Sequence, residues 1–156
     1  MEKYYKHILI PLDGSELAES ALKDGAAIAA MSMAKITLLS VIQPIEDVIN
    51  IDRSHSIFID EQANIKQQQA YSYLHSIAER IRDEKTAVHT TVEIGNAGEV
   101  IIDYASSHDI DLIVMATHGR SGLKRWVYGS VAEKVLRGAL QPVLLVRSYS
   151  RTKRSW

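Results

Sequence analysis

The chain contains no cysteine. That absence removes disulfide scaffolds, zinc–thiolate centres and thiol nucleophiles together, and it fits a reducing compartment. Long apolar runs are missing as well: none approaches the roughly 20 residues that a membrane-spanning helix needs. The opening stretch MEKYYKHILIPLDGS goes straight into a strand-like run, without the basic region, apolar stretch and small-residue cleavage site of a secretory signal. Neither sign of charge dominates. With 18 Lys and Arg against 19 Asp and Glu, the formal net charge is −1, which argues against a broad basic face for DNA or RNA. Only the tail RSYSRTKRSW is locally basic, and it reads as a solvated terminus. Two phosphate-binding fingerprints are also lacking: there is no G-x-x-x-x-G-K-[ST], and no G-x-G-x-x-G follows the first apolar run. These absences predict a cytoplasmic protein that works on neither nucleic acid nor membrane. Its 156 residues suit one domain over 1–156, with 148–156 as a flexible tail, able to bury about 70% of its unfolded surface without staples.

The apolar pattern that is present alternates in kind along the chain. His7–Asp13 (HILIPLD) and Lys35–Ile42 (KITLLSVI) are short, β-branched and apolar, as strands buried on both faces of a parallel sheet are. Glu16–Met33 between them reads as one helix, N-capped by Ser15. Its inner stripe is Leu22, Ala26, Ala29 and Met33, and Ala18, Ala21 and Gly25 allow close packing. Gln43–Asp60 has a proline, mixed polarity and no period, so a long, lid-like loop is expected there. A helix over Glu61–Lys85 follows, carried by Ala70, Leu74, Ile77 and Ile81. AVHTTVEIG alternates with period two, the mark of a half-exposed edge strand. A helix over Ala97–Ser107, a strand over Ile110–Ala116, a helix over Ser130–Gly138 (inner stripe Ala132, Val135, Leu136 and Ala139) and a strand over Pro142–Arg147 complete the chain. This alternation predicts a Rossmann-like, doubly wound α/β fold: a five-stranded parallel sheet, order 3-2-1-4-5, with helices on both faces. The fifth strand would then be an edge, yet it is nearly all apolar and lacks protective charges. Pairing with its copy in a homodimer is expected.

Open sheets of this kind bind ligands beyond the carboxyl ends of the strands, where the strand order reverses. Two stretches fall there: PLDGS after the first strand and the glycine-punctuated HGRSGLKRWVYGS after the fourth. Gly119 and Gly122 let backbone amides turn towards a ligand, and Gly129-Ser130 opens a helix whose free N–H groups and positive dipole end suit phosphate. Arg120, Lys124 and Arg125 add charge. Asp13 is an acceptor for ribose hydroxyls or a metal ion; a cap on the following helix is an equal reading. His118 reads as a loop histidine, because no serine, carboxylate or metal constellation accompanies it. Trp126 and Tyr128 read as packing residues.

These residues resemble the universal stress protein family, over His7 to Arg147. Nucleotide-binding members carry G-x-x-G, nine residues, then G-[ST]. In this chain Ala116 stands in the first glycine's place, Gly119 is the second, Arg120 to Tyr128 are the nine, and Gly129-Ser130 closes the motif. PLDGS and GSVAEKVLR…PVLLVR match the family's first strand end and C-terminal signature. The resemblance implies ATP with Mg2+ or Mn2+ and a homodimer. It puts Asp13 near the ribose and the metal-bearing phosphates, the Val41 backbone near adenine, and Gly119, Arg120, Gly129, Ser130 and Val131 around the phosphates. Pro11, Leu12, Met115, Ala116 and Gly122 complete the candidate set. The implied role is an ATP-binding stress-response regulator; family members without nucleotide offer the alternative of a dimeric interaction module. A phosphoacceptor receiver domain shares the architecture, but it needs a carboxylate after the third strand, where Gly95 and Asn96 stand. No residue reads as a general base, so any ATP hydrolysis is expected to be slow.

Overall fold

The computed structural model describes residues 4–44, 53–118 and 129–148. The short apolar runs form five strands: β1 (His7–Pro11), β2 (Lys35–Ile42), β3 (Val88–Ile94), β4 (Leu112–His118) and β5 (Val143–Ser148). They assemble in the order β3-β2-β1-β4-β5, and every pairing is parallel. Among the described residues five helices accompany them: α1 (Glu16–Glu19), α2 (Leu22–Ser32), α3 (Arg53–Ile81), α4 (Ala97–Ser107) and α5 (Ser130–Gly138).

Alternate strand residues feed two separate cores, as the period of two requires. Ile8, Ile10, Ile36, Leu38, Leu112 and Val114 pack with Leu22 and Ala29 of α2 and Leu74 and Ile77 of α3. Leu9, Leu39, Ile113 and Met115 pack with Ile101 and Ala105 of α4 and Ala132 and Val135 of α5. Gly25 lets α2 lie close on β1, because a Cβ there would sit 2.5 Å from Ile10 Cδ1. No described helix is long and apolar enough to cross a membrane.

Several boundaries differ from the sequence expectation, each for a local reason. The helix expected over Glu16–Met33 is broken: the Ser20 hydroxyl and amide both bond to Leu17 O (2.6 and 3.1 Å), tightening a turn that separates α1 from α2. Met33 does not join the inner stripe. It is the left-handed C-cap (φ 54°), 85% exposed, and it lets the Ala34 amide reach back to Ala29 O. The loop expected over Gln43–Asp60 is helical from Arg53, while 45–52 lie outside the described residues. The helix stops at Ile81, short of Lys85, where the Asp83 carboxylate takes up the amides of Lys85 and Thr86. β1 ends at Pro11, although Leu12 N still bonds Leu39 O at 2.8 Å. β4 starts later than Ile110 and runs to His118, so that histidine closes a strand and is not a loop residue. Leu136 is 42% exposed; Ala132 and Val135 are the buried residues of the short α5. β5 runs one residue past the expected end and takes in Ser148 from the anticipated tail.

Candidate functional site

β1 connects sideways to β2 but pairs on its other edge with β4, so the strand order reverses between β1 and β4. The crevice beyond their carboxyl ends is where such sheets bind ligands. A cleft of about 290 Å³ opens there. Pro11, Leu12 and Asp13 reach it from the end of β1, Val41 from β2, and Met115 and Ala116 from β4. Gly129, Ser130 and Val131 reach it from the start of α5. Nine of the twelve candidate residues thus line one cleft. Gly119, Arg120 and Gly122, together with Lys124, Arg125, Trp126 and Tyr128, lie outside the described residues.

Asp13 is exposed and sits just before a turn made through Gly14, whose φ of 84° favours glycine. One carboxylate oxygen, Oδ1, accepts the Ser15 amide (2.9 Å) and the Ser15 hydroxyl (2.5 Å). With its proton donated to Asp13, Ser15 Oγ accepts the Ala18 amide at 3.1 Å and caps α1. The cap is therefore Ser15, as expected, and Asp13 acts on the helix only through it. Oδ2 of Asp13 makes no hydrogen bond among the described residues.

α5 starts differently. Gly129 has φ 72°, makes no side-chain cap, and leaves open space where a Cβ would stand. The first bond of the helix is Glu133 N to Gly129 O at 3.0 Å. The amides of Ser130, Val131 and Ala132 precede that bond and have no intrahelical partner. Three donors and the positive end of the helix dipole face a cleft they help to line.

The remaining walls are mostly apolar. Leu39 and Val41 from β2, Ala97 and Ile101 from α4, and Met115 from β4 enclose a side suited to a flat ring system. Leu39, Ala97 and Ile101 were not singled out from sequence. Leu39 follows from alternation, two residues before Val41; Ala97 and Ile101 belong to a helix that the sequence located without showing that its first turn overhangs the site. Thr117 and Ser15 were also missed as lining residues. Thr117 lies in the part of β4 beyond the expected strand end, and Ser15 had been read only as a cap.

Tyr73 and His7, at opposite ends of β1, are among the titratable groups displaced from their ordinary values. Burial, then the Glu19 carboxylate and the charge of Asp13, push the Tyr73 hydroxyl up, so it remains a donor. At the opposite end of β1, burial and neighbouring Lys35 pull His7 down. Its Nε2 is 2.8 Å from Thr37 Oγ1, well within a hydrogen bond.

This architecture and the placement of its cleft define a doubly wound α/β protein with an open crevice at the switch point. Residues 4–147 match the sequence model of the universal stress protein family, and the chain belongs to that family. It is similar to universal stress protein MJ0577 of Methanocaldococcus jannaschii, at 31% identity over 94% of this chain and 98% of the relative. A solved structure of MJ0577 superposes with a TM-score of 0.79 at 32% identity, covering 95% and 99% of the two chains. A universal stress protein crystallised in complex with cAMP shares the fold (TM-score 0.67, 20% identity, 94% and 100% covered). So does the universal stress protein of Archaeoglobus fulgidus in complex with dAMP (TM-score 0.59, 20% identity, 92% and 98% covered).

Proposed function

We propose that this protein binds ATP, with Mg2+ or Mn2+, in the switch-point cleft and acts in the cytoplasm as a homodimeric stress-response regulator whose bound nucleotide sets its conformation or its partners. The observation that carries the reading is the meeting of an uncapped helix start, Gly129-Ser130, with a carboxylate, Asp13, across an apolar pocket. Phosphate suits the first, ribose the second and a purine the third. The cAMP and dAMP complexes of the two structural relatives support an adenine nucleotide as the class of ligand.

In this reading the amides of Ser130 and Val131 and the Ser130 hydroxyl take phosphate oxygens, with Gly119, Arg120 and Gly122 completing the phosphate loop. Oδ2 of Asp13 is available for ribose hydroxyls or a phosphate-bound cation. Adenine lies between Val41, whose backbone reads its edge, and Met115. No group of three or more metal-ligating side chains occurs among the described residues. The divalent ion would therefore be held chiefly by phosphate oxygens, as magnesium commonly is, and would supply charge neutralisation there. Ala116 puts a methyl group on the cleft wall in place of the motif's glycine.

Dimerisation rests on β5. It is an end strand of the sheet, and Leu144 on it is 37% exposed. Substituting Val143 or Leu145 by lysine should move the mass measured by light scattering from dimer to monomer; a wild-type monomer at micromolar concentration would refute this part. The nucleotide reading is tested by denaturing the natively purified protein and identifying the small molecules released, followed by titration with ATP and adenosine. Equal affinity for the two would overturn the phosphate assignment.

A further inference from the structure

α1 has four residues and none of them is fully buried, although Ala18 packs against the core. Its start is set by the Asp13–Ser15 turn described above. Its end is tied across to α3 by Glu19, the only α1 side chain that hydrogen-bonds to another helix among the described residues. Each oxygen of the Glu19 carboxylate has a separate partner on α3: Tyr73 Oη donates to Oε1 at 3.1 Å, and Arg80 Nη2 donates to Oε2 at 2.7 Å. Tyr73 and Arg80 are two helical turns apart and so share one face of α3. They lie on the stretch of α3 that is anchored to the core, beside buried Leu74, Ile77 and Ala78. A single carboxylate held at both oxygens from a rigid element leaves α1 little freedom to pivot. Side-chain exposure of Glu19 is only 25%, and the raised Tyr73 hydroxyl stays protonated to donate.

The geometry points to Glu19, Tyr73 and Arg80 as positioning residues of the cleft: by clasping α1 to α3 they hold the Asp13–Ser15 turn where Asp13 can meet the sugar hydroxyls of a bound nucleotide. This rests on the nucleotide reading above and adds to it the determinant of sugar selectivity. A carboxylate on a loosely held turn loses the directional hydrogen bonds to the sugar, while the walls at Val41, Met115 and Ser130, on other elements, are unaffected, Leu17 and Ala18 being the part of α1 that also lines the cleft. Loss of the clasp should therefore lower affinity for a sugar that has hydroxyls and spare one that lacks them.

The test compares ATP with 2′,3′-dideoxy-ATP by calorimetric titration of the full chain, alongside thermal melting. Wild type should favour ATP by about tenfold or more, the worth of a charge-assisted hydrogen bond. Tyr73→Phe and Glu19→Ala should cut that preference to below about threefold, while dideoxy-ATP affinity stays within about twofold of wild type, since its remaining contacts are untouched. Tyr73→Phe keeps the ring in place and serves if Glu19→Ala fails to fold. Variants that melt lower yet keep the wild-type preference would overturn the proposal and make the clasp purely structural. A wild type that binds no ATP, or shows no preference, would instead bring down the site reading on which the proposal stands.

Discussion

Two helix starts face each other across the cleft, and they are finished in opposite ways. At α1 a side-chain cap closes the start locally: one oxygen of Asp13 holds Ser15, and Ser15 holds the Ala18 amide. At α5 Gly129 contributes no side chain and the first amides have no partner within the helix. α4, whose first turn also lines the cleft, is capped by Asn96 through a long 3.4 Å bond to the Glu99 amide. A helix start that has already satisfied its donors has little to offer an anion, whereas one left open by a glycine does. Chain chemistry thus gives one crevice an open-amide side and a carboxylate side. Glycine at position 129 serves both needs of the open end, a positive φ and unobstructed amides.

The contrast can be broken most completely at Gly129. Gly129→Val should abolish measurable ATP binding, because its branched side chain occupies the space in front of the amides. Strain at positive φ should also cost about 1–3 kcal/mol of stability. Circular dichroism and melting would verify that the folded helix content persists; ATP affinity preserved in the folded variant would mean that the amides are not the phosphate site. Next in size, Asp13→Ala should weaken ATP by about 1.5–3 kcal/mol and, by loosening the Ser15 cap, cost about 1 kcal/mol of stability. If only the melting temperature moves, Asp13 merely organises the turn. Ser130→Ala should weaken ATP by about 1 kcal/mol, the worth of one neutral donor, and leave adenosine binding unchanged in parallel calorimetry. Smallest of all, Asn96→Ala should cost roughly 0.5 kcal/mol, the low end for a cap, and leave ATP binding unaffected; a clear loss of ATP there would show that capped starts contribute too.

How much of this was legible in the chain depends on how each residue's role is encoded. The strands, their order and the doubly wound class follow from apolar runs alternating with helical stripes, and β3 as an edge strand follows from its alternation. Asp13 and Gly129-Ser130 could be found because a helix start carries local signals that do not depend on distant packing. The beginning of α3 could not be read so: none of the residues with described side chains from 57 to 69 is buried, so no apolar period marks those turns. The break between α1 and α2 rests on one serine hydroxyl turned back onto Leu17 O, which Ser20 does not announce in sequence. Leu136 matched the stripe but faces outwards, because a stripe says which residues share a face and not how far the sheet extends beneath them. The Glu19–Tyr73–Arg80 contact joins residues more than fifty positions apart, and nothing local in the sequence pairs them.

The strand order also sets a schedule. β1 is flanked by β2, which follows it closely, and by β4, whose pairing residues begin at Leu112; the bond from Lys6 N to Asp111 spans 105 residues. A chain emerging from the ribosome at about 5–20 residues per second therefore leaves one edge of this buried strand unpaired for several seconds after β2 is available. During that interval β1 is the segment most open to mispairing, and contacts of such sequence separation also slow refolding in dilute solution. The central position that makes β1 the hinge of the cleft is the same position that makes it wait longest for its second neighbour.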